Sequence, residues 1–108
     1  MIQAWISKQD GQINGFKLTG HANSGEYGQD IVCAAISVLS INTVNSIEKL
    51  TPISPKVVSN NQEGGYMEVS VPDAMSPEAE QKVQLILSSF ELGMKDISQS
   101  YGEYINLN

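Results

Sequence analysis

The 108-residue chain has no arginine, a single cysteine, a single histidine and an aromatic content of only 6 %. Each scarcity excludes something. Six basic residues, all lysine, stand against twelve Asp and Glu and leave a net charge of −6 at pH 7. An acidic chain without guanidinium groups is poorly equipped to neutralise a phosphate backbone or to grip an anionic membrane face. Neither nucleic acid nor a membrane is therefore expected as a direct partner. One cysteine cannot close an internal disulfide, and one Cys with one His cannot supply an ordinary four-ligand zinc site, so no metal and no cofactor is expected. The start MIQAWISKQD lacks the basic and then apolar pattern of a signal peptide. No run approaches the roughly 18 apolar residues that suggest a membrane span. These readings describe a cytoplasmic protein of one domain, residues 1–108, with a core that aliphatic side chains must supply.

The hydrophobic pattern divides the chain into two hairpins, each followed by a helix. Ile2, Ala4 and Ile6 alternate with Gln3, Trp5 and Ser7, a strand with one buried face. Asp10-Gly11 suits a tight turn into a return strand over about 12–22, in which Phe16 and Leu18 share a face and Gly15 marks a bulge. Residues 22–29, with Gly25 and Gly28, read as a loop that ends at Asp30, an N-cap for a helix over about 31–50. That helix has two apolar stripes, one with Ile31, Ala35, Val38, Ile41 and Val44, the other with Val32, Ile36 and Leu39, a pattern expected of a sandwiched helix. Thr51-Pro52 ends it. Strands follow at 56–60 and 65–71, the second burying Met67, Val69 and Val71. Ser76-Pro77-Glu78 starts a helix over 76–99 with Ala79, Val83, Ile86, Phe90, Met94 and Ile97 on its inner stripe. Tyr101 to Leu107 forms an optional last strand. The predicted class is α+β, an antiparallel or mixed sheet built from two hairpins with two main helices, in the order ββαββα(β).

Two residues bear reactive chemistry. His21 falls at a strand end and Cys33, twelve positions on, in the first turn of the following helix if Asp30 is the cap. There the unpaired backbone N–H groups and the positive dipole end would favour thiolate over thiol, and a nearby imidazole would complete a Cys–His pair for nucleophilic attack. The same N–H groups could hold the oxyanion formed at an attacked carbonyl. Asp30 could orient His21 as well as cap, and Ser37, one turn after Cys33, shares its helix face. Plainer readings stand beside these. Cys33 among Ile31, Val32, Ala34 and Ala35 suits a small buried hydrophobe, His21 a solvated strand-end residue, and Ser37 a hydroxyl bonded back to its own helix.

The segment from Gly20 to Ser37, GHANSGEYGQDIVCAAIS, resembles the signature G-H-A-x-x-G-x-x-G-x-D-I-V-C-A-A-x-S of the ribosomal-processing cysteine protease family (Prp, or YsxB-like), and every fixed position is met. The resemblance implies a cytoplasmic, homodimeric thiol protease. Its substrate would be the short N-terminal extension of a basic large-subunit ribosomal protein, number twenty-seven in the bacterial scheme. It also implies Cys33 as nucleophile, His21 as base, supporting roles for Asp30 and Ser37, and a loop that moves on substrate binding, for which Gly25 and Gly28 provide the freedom. Two other classes fit the bare residues: a non-catalytic ribosome-associated binding module, and a redox sensor that uses the thiol without proteolysis.

Overall fold

The structure is a computed structural model that describes residues 1–20, 27–60 and 65–108, with the side chains of 27–30 excepted. Its elements are β1 (Ile2–Gln9), β2 (Gln12–Thr19), α1 (Tyr27–Leu50), β3 (Lys56–Asn60), β4 (Tyr66–Ser70), α2 (Pro77–Ser100) and β5 (Ile105–Leu107). The strands form one mixed sheet in the order β3-β4-β2-β1-β5. All pairs are antiparallel except β1 with β5, which the return of the chain through α2 makes parallel. The α+β class, the two hairpins and the last strand are those the sequence predicts.

Asp10 and Gly11 both take positive φ, 54° and 80°, as a two-residue hairpin turn of this hand requires. In β2 the register slips by one residue, since Ser7 faces Gly15 while Lys8 faces Ile13. Asn14 is the extra residue of this bulge, and Gly15 beside it has no room for a side chain, because a Cβ would collide with the Val69 carbonyl oxygen of β4. Phe16, Leu18, Met67 and Val69 thereby face inward, and Phe16 stacks on Phe90 of α2 with ring centroids 4.0 Å apart. Gln84 of α2 fastens the helix to the sheet edge-on, accepting from the Ile13 amide at 2.9 Å and donating to the Ile13 carbonyl at 2.7 Å.

The second helix follows its start signal closely. Ser76 caps it in extended geometry and its Oγ accepts from the Ala79 amide at 3.2 Å, with Pro77 in the first turn. Its buried stripe is Ala79, Val83, Leu87, Phe90 and Met94, so Leu87 takes the central place that the sequence assigns to Ile86, which packs at the margin with Ile97. Gly93 is tolerated inside the helix because it admits Leu39 of α1, whose Cδ2 would lie 2.8 Å from a Cβ at that position.

Two expectations about α1 are corrected. The helix begins at Tyr27, not at Asp30, so Asp30 is a residue of the helical backbone and not its N-cap. Gly28 is accordingly a first-turn residue of the helix and not part of the preceding loop that the sequence predicts. The predicted sandwich is not formed either. Val32, Ile36 and Ile47 enter the core with Ser40 and Thr43, whose hydroxyls donate to the Ile36 and Leu39 carbonyls at 2.7 Å each, whereas Ile31, Val38 and Ile41 stay exposed. A two-layer fold offers this helix one sheet and one neighbouring helix, and the remaining side faces outward. Ile31–Leu50 also reaches the length and mean hydropathy (1.5) of a membrane span, contrary to the sequence expectation, because interspersed Ser, Thr and Asn lower the average less than they break the run. In the fold this segment supplies core residues and lies against α2 and the sheet.

Candidate active site

A cavity of about 470 Å³ opens where the first half of α1 stands away from the ends of β2 and β4. Its helical wall is one face of α1, with Cys33 and Ser37 four residues apart, and Ile36, Ser40 and Ile41 beside them. Leu18, Met67, Ser59 and Tyr66 form the opposite wall. Cys33 is half-buried, at the margin of the core cluster and in the lining of the cavity. It is thus not sealed among aliphatic side chains. Ser37 is exposed at the mouth, on the face shared with Cys33 as its spacing predicts.

Gly20 fixes the cavity's other rim. Its φ is +82°, its N–H donates to the Gly65 carbonyl at 3.1 Å, and a Cβ would lie 2.6 Å from the Met1 carbonyl oxygen. A side chain at that position would cost on the order of 1–3 kcal/mol in backbone strain alone. This glycine turns the chain out of β2, whose last residue, Thr19, comes three residues before the strand end the sequence suggests, and it lines the same cavity as Cys33. His21 follows it in sequence. His21, Gly25 and the rest of 21–26 lie outside the described residues, as do the side chains of Gln29 and Asp30. The approach of the imidazole to the thiol is therefore not among the described contacts, nor is an orienting role for Asp30.

The early start of α1 changes the electrostatics expected at the sulfur. Cys33 is the seventh residue of the helix, a full turn beyond the N–H groups that a helix start leaves unpaired. Its own amide belongs to the i→i−4 ladder, so the predicted oxyanion pocket at a first-turn cysteine is not formed in this conformation. Among the described residues, the lining contains no charged side chain. Tyr66 is the one ionisable group besides Cys33 among the described lining residues, and its hydroxyl donates to Glu68 Oε2 at 2.8 Å; that bond, then partial desolvation and the carboxylate charge, raise the phenol's pKa above its ordinary value and keep it neutral. Among the described residues no group of His, Cys, Asp or Glu is arranged to hold a metal ion.

The wall opposite α1 is what sequence reasoning missed. Leu18 and Met67 were legible as inward-facing from their alternation, but nothing in the pattern says that they end short of the helix and leave a gap. Ile2, Ser59 and Tyr66 carry no signal of a pocket position at all.

A two-layer α+β fold with a half-buried thiol lining a peptide-sized cleft fits the class of thiol-dependent hydrolases. The sequence model of the family described as "Cysteine protease Prp" matches residues 1–106, and the chain belongs to that family and is a cysteine protease. It is 34 % identical to the ribosomal processing cysteine protease Prp of Bacillus subtilis over 108 residues, covering 99 % of this chain and 96 % of that one. A solved protein of Streptococcus mutans superposes with a TM-score of 0.91 at 38 % identity, over 100 % of this chain and 92 % of that one. The ribosomal processing protease Prp of Staphylococcus aureus has been solved in complex with a substrate peptide (TM-score 0.87, 34 % identity) and with a covalently linked product peptide (0.83, 33 %), each over 100 % of this chain and 98 % of that one. The readings as a non-catalytic module or a redox sensor give way to that of an enzyme.

Proposed function

We propose that this protease removes the N-terminal extension of a basic ribosomal protein of the large subunit, number twenty-seven in the bacterial scheme, with Cys33 as nucleophile and His21 as acid and base. One observation carries the reading. The chain's single cysteine lines a peptide-sized cleft whose other rim is Gly20, the residue bonded to the chain's single histidine. A thiol protease needs a sulfur nucleophile, and Cys33 is the sulfur at hand. The named role of the Bacillus subtilis relative and the peptide complexes of the Staphylococcus aureus protease support the substrate class.

His21 takes the Cys33 thiol proton as the sulfur attacks the scissile carbonyl carbon; a C–S bond forms, and the C–N bond breaks as His21 passes that proton to the leaving amine. His21 then takes a proton from water, whose oxygen adds to the thioester; the C–S bond breaks and the thiol is restored. Ser37 supports this chemistry from the same helix face, and Asp30 from the preceding turn. The segment between His21 and α1, with Gly25, covers the bound peptide and excludes water; Gly28 belongs to the first turn of α1 and has no part in that motion. The net charge of −6 speeds encounter with a basic substrate. The enzyme works in the cytoplasm as a homodimer, a reading that exposed Val38, Leu85 and Leu92 on the two helices support.

The test is the intact mass of the full-length ribosomal protein after incubation with the enzyme. The expected result is a loss equal to the N-terminal extension, at catalytic enzyme concentration. An unchanged mass, or binding in equal amounts without cleavage, would refute the substrate assignment.

A further inference from the structure

We propose that the substrate peptide is held as an added strand along the outer edge of β3, in the groove between that edge and α1, so that the sheet grows by one strand when the enzyme binds. The proposal rests on the proteolytic reading above and concerns how the peptide backbone is gripped.

Three observations carry it. First, β3 ends the sheet, and all five of its residues are exposed. In an antiparallel edge strand every second residue turns its N–H and C=O away from its partner, which leaves a template for another chain. Second, among the described residues this edge shows none of the usual protection. Val57 and Val58, both good strand formers, are 39 % and 48 % exposed at its centre. Its only charge is Lys56, at the end away from the cleft, and its pairing with β4 continues from Lys56 to Asn60 without a bulge. Third, the edge runs into the catalytic cleft, because Ser59 lines the cavity that holds Cys33. The opposite edge offers no such continuity. There β5 has three residues, the first of them buried, and it lies across the full width of the sheet from β3.

The chemistry favours this mode as well. A protease that must present one peptide bond to a sulfur gains from an extended substrate, since main-chain hydrogen bonds fix the register whatever the side chains are. Alternate side chains then face the cleft between α1 and the β3–β4 hairpin, and those between face solvent.

The proposal is tested with the wild-type chain and a synthetic peptide spanning the cleaved bond of the ribosomal-protein extension, together with a series in which each backbone nitrogen except the scissile one is methylated in turn. Strand addition requires that kcat/KM fall by ~10-fold or more at every second position within the paired stretch and change little at the positions between. Cleavage of the parent peptide with a series that is uniformly insensitive, or sensitive without alternation, would overturn it. Failure to cleave the parent peptide would instead remove the proteolytic reading, and the added strand with it. Amide exchange in the Cys33→Ala variant gives a second readout. Saturation with the parent peptide is expected to slow exchange within Val57–Ser59 by ~10-fold or more while β5 is unaffected. Saturable binding with β3 exchange unchanged would overturn the proposal by itself.

Discussion

Cys33→Ala is expected to abolish cleavage of the extension peptide, with kcat/KM lower by at least ~10⁴-fold, the order seen when a protease loses its nucleophile. Removing the sulfur removes the covalent step, and no second thiol exists to replace it. The fold is expected to survive. Cys33 is half-buried at the margin of the core, its place on α1 is held by Val32, Ile36 and Ile47, and alanine favours a helix. The unfolding free energy should therefore move by no more than about 1 kcal/mol. Chemical denaturation and steady-state cleavage, measured on the same preparation, separate the two effects. A variant that loses activity only in proportion to its loss of folded protein would mean that Cys33 is a packing residue.

The second large effect is expected at His21. Replacement by alanine should lower kcat/KM by about 10²–10⁴-fold, the usual contribution of a positioned acid–base group. Peptide affinity, measured by direct binding, should change much less, because the imidazole acts on protons and not on the peptide's grip. The wild-type pH–rate profile should also carry an ionisation that the variant lacks. Near-normal turnover with the same profile would assign the proton transfers to another group.

The two effects rest on unequal parts of the sequence. The fold was legible wherever a local rule is strong. Asp10-Gly11 marked its turn, Gly15 its bulge, Thr51-Pro52 the end of α1, and Ser76-Pro77 the start of α2. Proline restricts the backbone and glycine admits conformations or approaches that other residues cannot, so at these positions the local residue outweighs its neighbours. The start of α1 was not legible because Gly28 and Asp30 both have a turn-like reading, and hydrogen bonding along the helix outweighs it. The exposure of Val38 and Ile41 was hidden for a different reason, since an apolar stripe records that a surface avoids water but not which surface covers it. Likewise the strand at 56–60 was legible from its valines, but nothing in it says that it lies on an open edge.

The candidate site divides in the same way. The face shared by Cys33 and Ser37 followed from helical spacing, and both residues line the cleft. The electrostatic argument for the thiol depended on a helix boundary and changed with it. The cleft itself arises from Leu18, Ile41, Ser59 and Met67, whose separation in sequence is bridged only by the sheet order, so no local pattern could have announced it.

The most direct measurement on the sulfur is labelling of the wild-type chain with an extension peptide in which a vinyl sulfone replaces the scissile amide. Addition of the thiol across the double bond should raise the protein's mass by one whole probe. Peptide mapping should place the label on Cys33, and an excess of the uncleaved parent peptide should slow the reaction. A chain that cleaves the parent peptide yet takes no label, or takes it on another residue, would contradict the assignment of Cys33 as the nucleophile.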